Sequence, residues 1–216
     1  QEETQRIDFI VDTLEYKFPA GNTGLHELNL ADSSGNLIGI MGASGAGKST
    51  LLSLLNGTLK PTSGSVKINN IDIHHQKEEL EGVIGHISQD DLLIEDLTVF
   101  ENLFYNTKLC YDGLPEKTIV KKAIEMLKSL GLHEIKDLKV GSPLNKKISG
   151  GQRKRLNIAL ELIREPQVLF VDEPTSGLSS RDSENIMDLL KELALKGKLV
   201  FVVIHQPSSD IFKMFD

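Results

Sequence analysis

The sequence predicts an α/β fold with a mostly parallel core sheet, and three observations predict it. Short apolar runs of strand length recur at residues 37–41, 66–68, 83–87, 168–171 and 199–204. Segments with helical spacing lie between several of them, for example Ile186, Leu189, Leu190 and Leu193. The run at 37–41 breaks directly into glycines and then into a helix beginning near Lys48. Strands alternating with helices favour a parallel sheet with helices packed on its faces.

Each element follows in order. Ile7, Phe9 and Val11, then Leu14, Tyr16 and Phe18, alternate with polar residues and suggest edge strands of a sheet. Thr98 and Glu101 have the spacing of a capping box, which predicts a helix start. From Pro115, the pattern Ile119, Ala123, Met126, Leu127 and Leu130 is helical and stops at Gly131. After Gly150, Leu156, Ala159, Leu160 and Ile163 fall on one helical face. The helix-rich stretch from about 92 to 164 interrupts the alternation and is expected to be an inserted helical subdomain. The whole of 1–216 then forms one domain, with 1–91 and 165–216 as its core. A last helix is expected from Ser208 onward, still running where the chain stops at Asp216, so both ends look cut.

Composition narrows the function. With 39% hydrophobic and 25% charged residues over 216 positions, the chain has the make-up of an ordinary globular domain. A net charge of −7 argues against a nucleic-acid partner, whose binders usually carry a basic face. The basic cluster Lys146, Lys147, Arg153, Lys154 and Arg155 is most simply a solvated helix end. Cys110 is the single cysteine, so no intrachain disulfide can form; a semi-buried thiol in a reducing compartment is expected. No apolar stretch approaches a membrane span, and no signal peptide opens the chain. Service to a membrane would therefore run through a partner or another part of the polypeptide.

The strongest motif is Gly42-Ala43-Ser44-Gly45-Ala46-Gly47-Lys48-Ser49, glycine, four residues, then Gly-Lys-Ser. Phosphates need several backbone N–H groups aimed at one point, and glycines let the chain curl that tightly. The helix that starts there adds the positive end of its dipole. Lys48 is expected on the β- and γ-phosphates and the Ser49 hydroxyl on Mg²⁺. The bland alternative is a glycine-rich turn with no ligand, but the preceding strand and the apolar helix of Leu51, Leu52, Leu54 and Leu55 supply the motif's context.

A pair of acids, Asp172 and Glu173, ends the buried run 168–171. Ligands of open α/β sheets bind at that edge. Asp172 is expected to hold magnesium, directly or through water, and Glu173 to accept a proton from the attacking water or orient it. Acids at a strand end are common, and the pair gains its meaning from the phosphate loop upstream.

Residues 148–153, Ile-Ser-Gly-Gly-Gln-Arg, resemble the signature loop of ABC ATPases. The resemblance implies a phosphate-loop NTPase core with an N-terminal antiparallel β subdomain and a helical signature subdomain. It implies ATP and Mg²⁺ as cofactors, with residues Gly42 to Thr50 around the nucleotide. It also implies that Ser149, Gly150, Gly151 and Gln152 close over the γ-phosphate held by a second copy, so that two ATP are sandwiched head to tail. Gln89 matches the Q-loop glutamine, which senses magnesium and the attacking water. His205 matches the switch histidine that contacts the γ-phosphate. Phe18 sits where the family stacks an aromatic ring on adenine, with Tyr16 as runner-up.

A narrower match lies in residues 153–163, 172–178 and 204–208, which look like the G subfamily of ABC transporters, the white-type pigment and sterol or drug exporters. That resemblance implies a membrane domain on the same polypeptide, a place on the cytoplasmic face of a membrane, and contact between residues 92–97 and coupling helices. One departure matters. The family usually has Gly-Leu-Asp after the carboxylate block, whereas here it is Gly177-Leu178-Ser179, with Asp182 one turn out of register. Ser179 can cap the following helix but brings no charge to couple two sites. Two alternatives stay open: an ABC ATPase serving ribosomes or DNA repair, and a regulatory cassette with slow or no turnover.

Overall fold

The computed structural model describes residues 5–42, 47–145, 147–205 and 208–216, and it divides into two compact units. The first comprises Gln1–His86, Pro166–Glu173 and Met187–Asp216. The second comprises Ile87–Glu165 and Pro174–Ile186.

The first unit holds two sheets. An antiparallel one contains β1 (Asp8–Lys17), β2 (Thr23–Ser33), β4 (Ser63–Ile68) and β5 (Ile71–Asp72), in the order β2-β1-β4-β5. The other contains β3 (Leu37–Met41), β6 (Ile84–Ile87), β7 (Val168–Asp172) and β8 (Leu199–Ile204), in the order β3-β8-β7-β6, with β3 and β7 each parallel to β8. α1 (Lys48–Leu55) follows β3.

The sheets meet through aromatic rings. Phe9 of β1 lies 5.0 Å from Phe201 of β8, and Phe170 of β7 stacks on Phe201 at 5.0 Å. Leu52, Leu54 and Leu55 of α1 join the same buried cluster. The strand formed by the opening segment is not an edge: β1 pairs with β2 on one side and β4 on the other. Its hydrophobic phase changes between Val11 and Leu14, where the register slips and Thr13 takes φ 44. One extra residue in a strand flips every later side chain, so a bulge keeps both Val11 and Leu14 inside. Gly64 accommodates the bulge, since a Cβ there would lie 2.3 Å from the Thr13 carbonyl.

The last helix, α6, is only Ser209–Phe212, capped by Ser208, and does not continue to Asp216. Asp216 instead pairs with β3: its N–H donates to the Leu37 carbonyl at 2.8 Å, and its carboxylate accepts from the Leu37 N–H at 2.8 Å and from Lys191 Nζ at 2.7 Å. Leu37 would otherwise expose its polar backbone groups on an edge strand.

His74 is a buried exception in this unit. Its side chain is 1% exposed and, among the described residues, its Nε2 has no hydrogen-bond partner. Burial pushes the ring's pKa down, against the pull of the Asp72 carboxylate and the nearby Leu54 and Leu59 carbonyls, with Lys77 adding to the downward push. The unfolded chain therefore protonates His74 first. That contribution to stability is intact above about pH 6.5 and is lost as the pH falls below it. Thermal unfolding at about pH 7.5 and 5.5 is expected to show a smaller acid loss for His74→Leu than for the parent. Equal losses would place the acid sensitivity elsewhere.

The second unit contains α2 (Val99–Cys110), α3 (Glu116–Ser129) and α4 (Gly150–Leu162). Thr98 caps α2 by accepting from the Glu101 N–H at 3.0 Å, while the Glu101 side chain accepts from the Thr98 N–H at 3.1 Å. Pro115 opens α3, and Gly131 past its end has φ 69, a backbone that favours glycine. Leu103, Leu127, Leu156 and Ile158 of these helices are fully buried. α5 (Ser180–Leu195) follows the segment after Glu173.

The basic cluster is a solvated helix end only in part: Lys147 is exposed, but Arg153 and Lys154 are not free in solvent. Arg153 is 5% exposed; its Nε donates to Asp91 at 2.7 Å and its Nη1 to the carbonyls of Val140 and Gly141 at 2.6 and 2.9 Å. Lys154 Nζ donates to the Ser88 carbonyl at 3.1 Å. Lys146 lies outside the described residues. Cys110 is half-buried and unpaired by disulfide.

Candidate functional site

Strand register builds the site. Met41 pairs with Ile204, and Asp172 pairs with Val203. Three parallel strands therefore end within about one residue of each other, and the residues that follow them share one sheet edge. Those residues are Gly42, His205 and Glu173.

Lys48, the first residue of α1, meets all three. Its Nζ donates to the Gly42 carbonyl at 2.6 Å, lies 3.3 Å from His205 Nδ1 and 3.7 Å from Glu173 Oε1. The Lys48 and Glu173 side chains are 11% and 21% exposed, so the pair is shielded from most solvent screening. An ammonium has only donors, so His205 Nδ1 must accept and a neutral ring then carries its proton on Nε2. Glu173 holds φ 46, unusual for a residue with a Cβ, while its N–H donates to the Val203 carbonyl at 2.8 Å. Such backbone costs of order 1–3 kcal/mol and tends to collect where function needs a side chain aimed.

Gly47 precedes α1 with φ 81, where any other residue would be strained. Ala43, Ser44, Gly45 and Ala46 lie outside the described residues. Ser49 and Asp172 line one cleft of about 470 Å³, together with Leu52, Ser53, Asn56, Thr58, Ile84 and His86. A hydroxyl and a carboxylate supply the oxygen donors that hard divalent cations prefer. Thr50 is half-buried within α1.

Phe18 lies just past the end of β1 and is 42% exposed. Tyr16 meets it edge-on at 5.2 Å and 83°. Both rings rest on Gly24, where a Cβ would come 2.7 Å from Phe18 and 3.0 Å from Tyr16. The Gly24 carbonyl in turn lies 3.5 Å from where a Cβ on Gly47 would be, so the aromatic pair adjoins the last glycine of the phosphate loop. Sequence reasoning missed Gly24, which carries no motif; its only mark is one glycine inside a strand.

The remaining candidates belong to the second unit. Gln89 is exposed and donates from Nε2 to Ser176 Oγ at 3.3 Å. Ser149 opens α4: its Oγ accepts from the Gln152 N–H at 3.1 Å, and the Gln152 side-chain oxygen accepts from the Ser149 N–H at 2.8 Å. This second capping box was visible in the sequence as Ser-x-x-Gln, the same pattern as Thr98 and Glu101. Ser179 caps α5, accepting from the Asp182 N–H at 3.1 Å and, through its carbonyl, from the Ser183 N–H at 2.9 Å. Among the described residues no group of three or more His, Cys, Asp or Glu is placed to hold a metal, and no helix is long and apolar enough to cross a membrane.

A parallel sheet whose edge gathers a phosphate-loop lysine, a carboxylate pair and a histidine defines a phosphate-loop nucleotide-binding domain. The ABC transporter family model matches residues 25–176. The "ABC-type transporter claG" of Penicillium crustosum is 39% identical over 85% of this chain, and "ABC transporter G family member 28" of Arabidopsis thaliana is also 39% identical over 85%. This chain covers only 24% and 17% of those two proteins. The solved structure of cbiO1 from Clostridium perfringens, part of the ABC transporter complex cbiONQ, superposes with a TM-score of 0.81 at 32% identity, over 92% of this chain and 78% of that one. The chain belongs to the ABC transporter family, and the relatives it resembles include several named as G family members.

Proposed function

We propose that this domain binds ATP with Mg²⁺ at the edge where β3, β7 and β8 end, and that hydrolysis there powers transport, in the export direction, by a larger protein. The observation that carries the reading is the convergence of Gly42, Glu173 and His205 on Lys48 Nζ. Lys48 would exchange Glu173 for the β- and γ-phosphates. That exchange leaves Glu173 free to take the proton of a water whose oxygen attacks the γ-phosphorus as the bond to the β-phosphate oxygen breaks. His205 Nε2–H would donate to the γ-phosphate. Ser49 and Asp172, with Gln89, would hold Mg²⁺, which supplies charge neutralisation when bound. Phe18 would stack on adenine, with Tyr16 bracing it edge-on.

Ser149 and the N–H groups of Gly150 and Gly151, with Gln152 holding the cap, would face the γ-phosphate on a second ATP-binding domain, homologous or identical, in a head-to-tail pair. Residues 1–91 and 165–216 would act as the nucleotide core and about 92–164 as the helical signature subdomain. A membrane domain on the same polypeptide would dock near residues 92–97, where Leu92 and Ile94 are 68% and 58% exposed. The domain would then sit on the cytoplasmic face.

The test is nucleotide binding by Lys48→Ala. Losing a charge-assisted contact of about 1.5–3 kcal/mol lowers ATP affinity about tenfold or more. Titration with a fluorescent ATP analogue measures it, and an unchanged affinity would remove Lys48 from the site.

A further inference from the structure

We infer that Asp182, in the first turn of α5, is a positioning residue for the signature helix. This rests on the proposed reading of Ser149–Gln152 as the loop that meets a partner's nucleotide. The contact is close: a Cβ on Gly151 would lie 2.9 Å from both Cγ and Oδ1 of Asp182. The carboxylate therefore sits on the backbone of the second residue of α4, at the positive end of that helix. Ser179 aims it, because its hydroxyl and carbonyl cap the turn that carries Asp182.

The same segment has a second tie. Gln89 Nε2 donates to Ser176 Oγ at 3.3 Å, so residues 176–182 touch both the glutamine loop and the start of α4. α4 closes the circuit through Lys154 on the Ser88 carbonyl and Arg153 on Asp91. The segment begins three residues after Glu173. The tie runs from Ser179 through Asp182 to the turn that presents Ser149 and Gly150. Gly151 is a glycine here for a steric reason in addition to any approach of phosphate.

Two readouts test this on the full chain. Amide hydrogen exchange at residues 150–153 is expected to quicken several-fold in Asp182→Ala, and less in Asp182→Asn, which keeps the shape. ATP-driven pairing, read by light scattering in a Glu173→Gln background, is expected to need several-fold more ATP in Asp182→Ala, with affinity for the first ATP unchanged. Unchanged exchange at 150–153 overturns the inference whatever the pairing does. Quickened exchange with unchanged pairing reduces Asp182 to a merely structural contact and also overturns it. If the Asp182-intact protein never pairs with ATP, the partner-facing reading of the loop falls, and the exchange result still decides whether Asp182 positions α4.

Discussion

Glu173→Gln is expected to retain ATP and lose hydrolysis by a factor of about 10²–10⁴, the usual contribution of a positioned general base. The substitution keeps the side chain's size but removes its charge and its ability to take a proton. The geometry adds a second consequence. Glu173 lies 3.7 Å from Lys48 Nζ in a shielded pocket, so the carboxylate competes with phosphate for the same ammonium. A neutral amide competes less, and ATP affinity should hold or rise as turnover falls. Binding without cleavage should then accumulate a pair of domains with ATP trapped between them. Phosphate release measures the first effect, and size-exclusion chromatography in Mg²⁺ and ATP measures the second. Turnover at the parent rate would take the role of base away from Glu173.

The candidate residues of this site were legible from local sequence, because each block is a short pattern whose geometry is set nearby. The glycine-lysine-serine run, the acids at 172 and 173, and the cap at Thr98 all belong to that kind. Their convergence was not legible. Lys48 meets Glu173 and His205 across 125 and 157 positions of chain, and that depends on the order β3-β8-β7-β6, which long-range pairing decides. The opening strand was misplaced at an edge for a related reason. Alternation shows that one face is buried, whereas the count of neighbours depends on β4, some fifty residues later. The change of phase from Val11 to Leu14 was present in the sequence as a break in alternation, and the bulge is its physical meaning.

The basic cluster failed for a different reason. Composition treats five cations as one patch, but a helix turns about 100° per residue, so neighbours in sequence face different surroundings. Arg153 points inward, where Asp91 and two carbonyls wait for its fork of donors; Lys154 reaches the Ser88 carbonyl. Guanidinium groups suit this position because several donors leave one planar head in fixed directions.

Arg153→Ala is accordingly expected to cost about 3–5 kcal/mol of stability, the range for breaking a buried pair from one side. The Val140 and Gly141 carbonyls would lose their donor, and the Asp91 carboxylate would lose its cation. Asp91 is 27% exposed, so water recovers part of its loss and the lower end of the range is the better expectation. Against total stabilities of about 5–15 kcal/mol, that loss is large enough to move a denaturation midpoint clearly. Arg153→Lys should fall between, since one ammonium replaces the Asp91 contact but not both carbonyl contacts. Combining Arg153→Ala with Asp91→Asn should cost less than the two single changes added together, because the stranded charge is gone. A loss under about 1 kcal/mol for Arg153→Ala would put this pair among exposed ion pairs. Additivity in the double variant would mean that Asp91 and Arg153 stabilise the fold independently, and that the glutamine loop is held to α4 by Lys154 and by the Asn157 side chain on the Leu92 N–H.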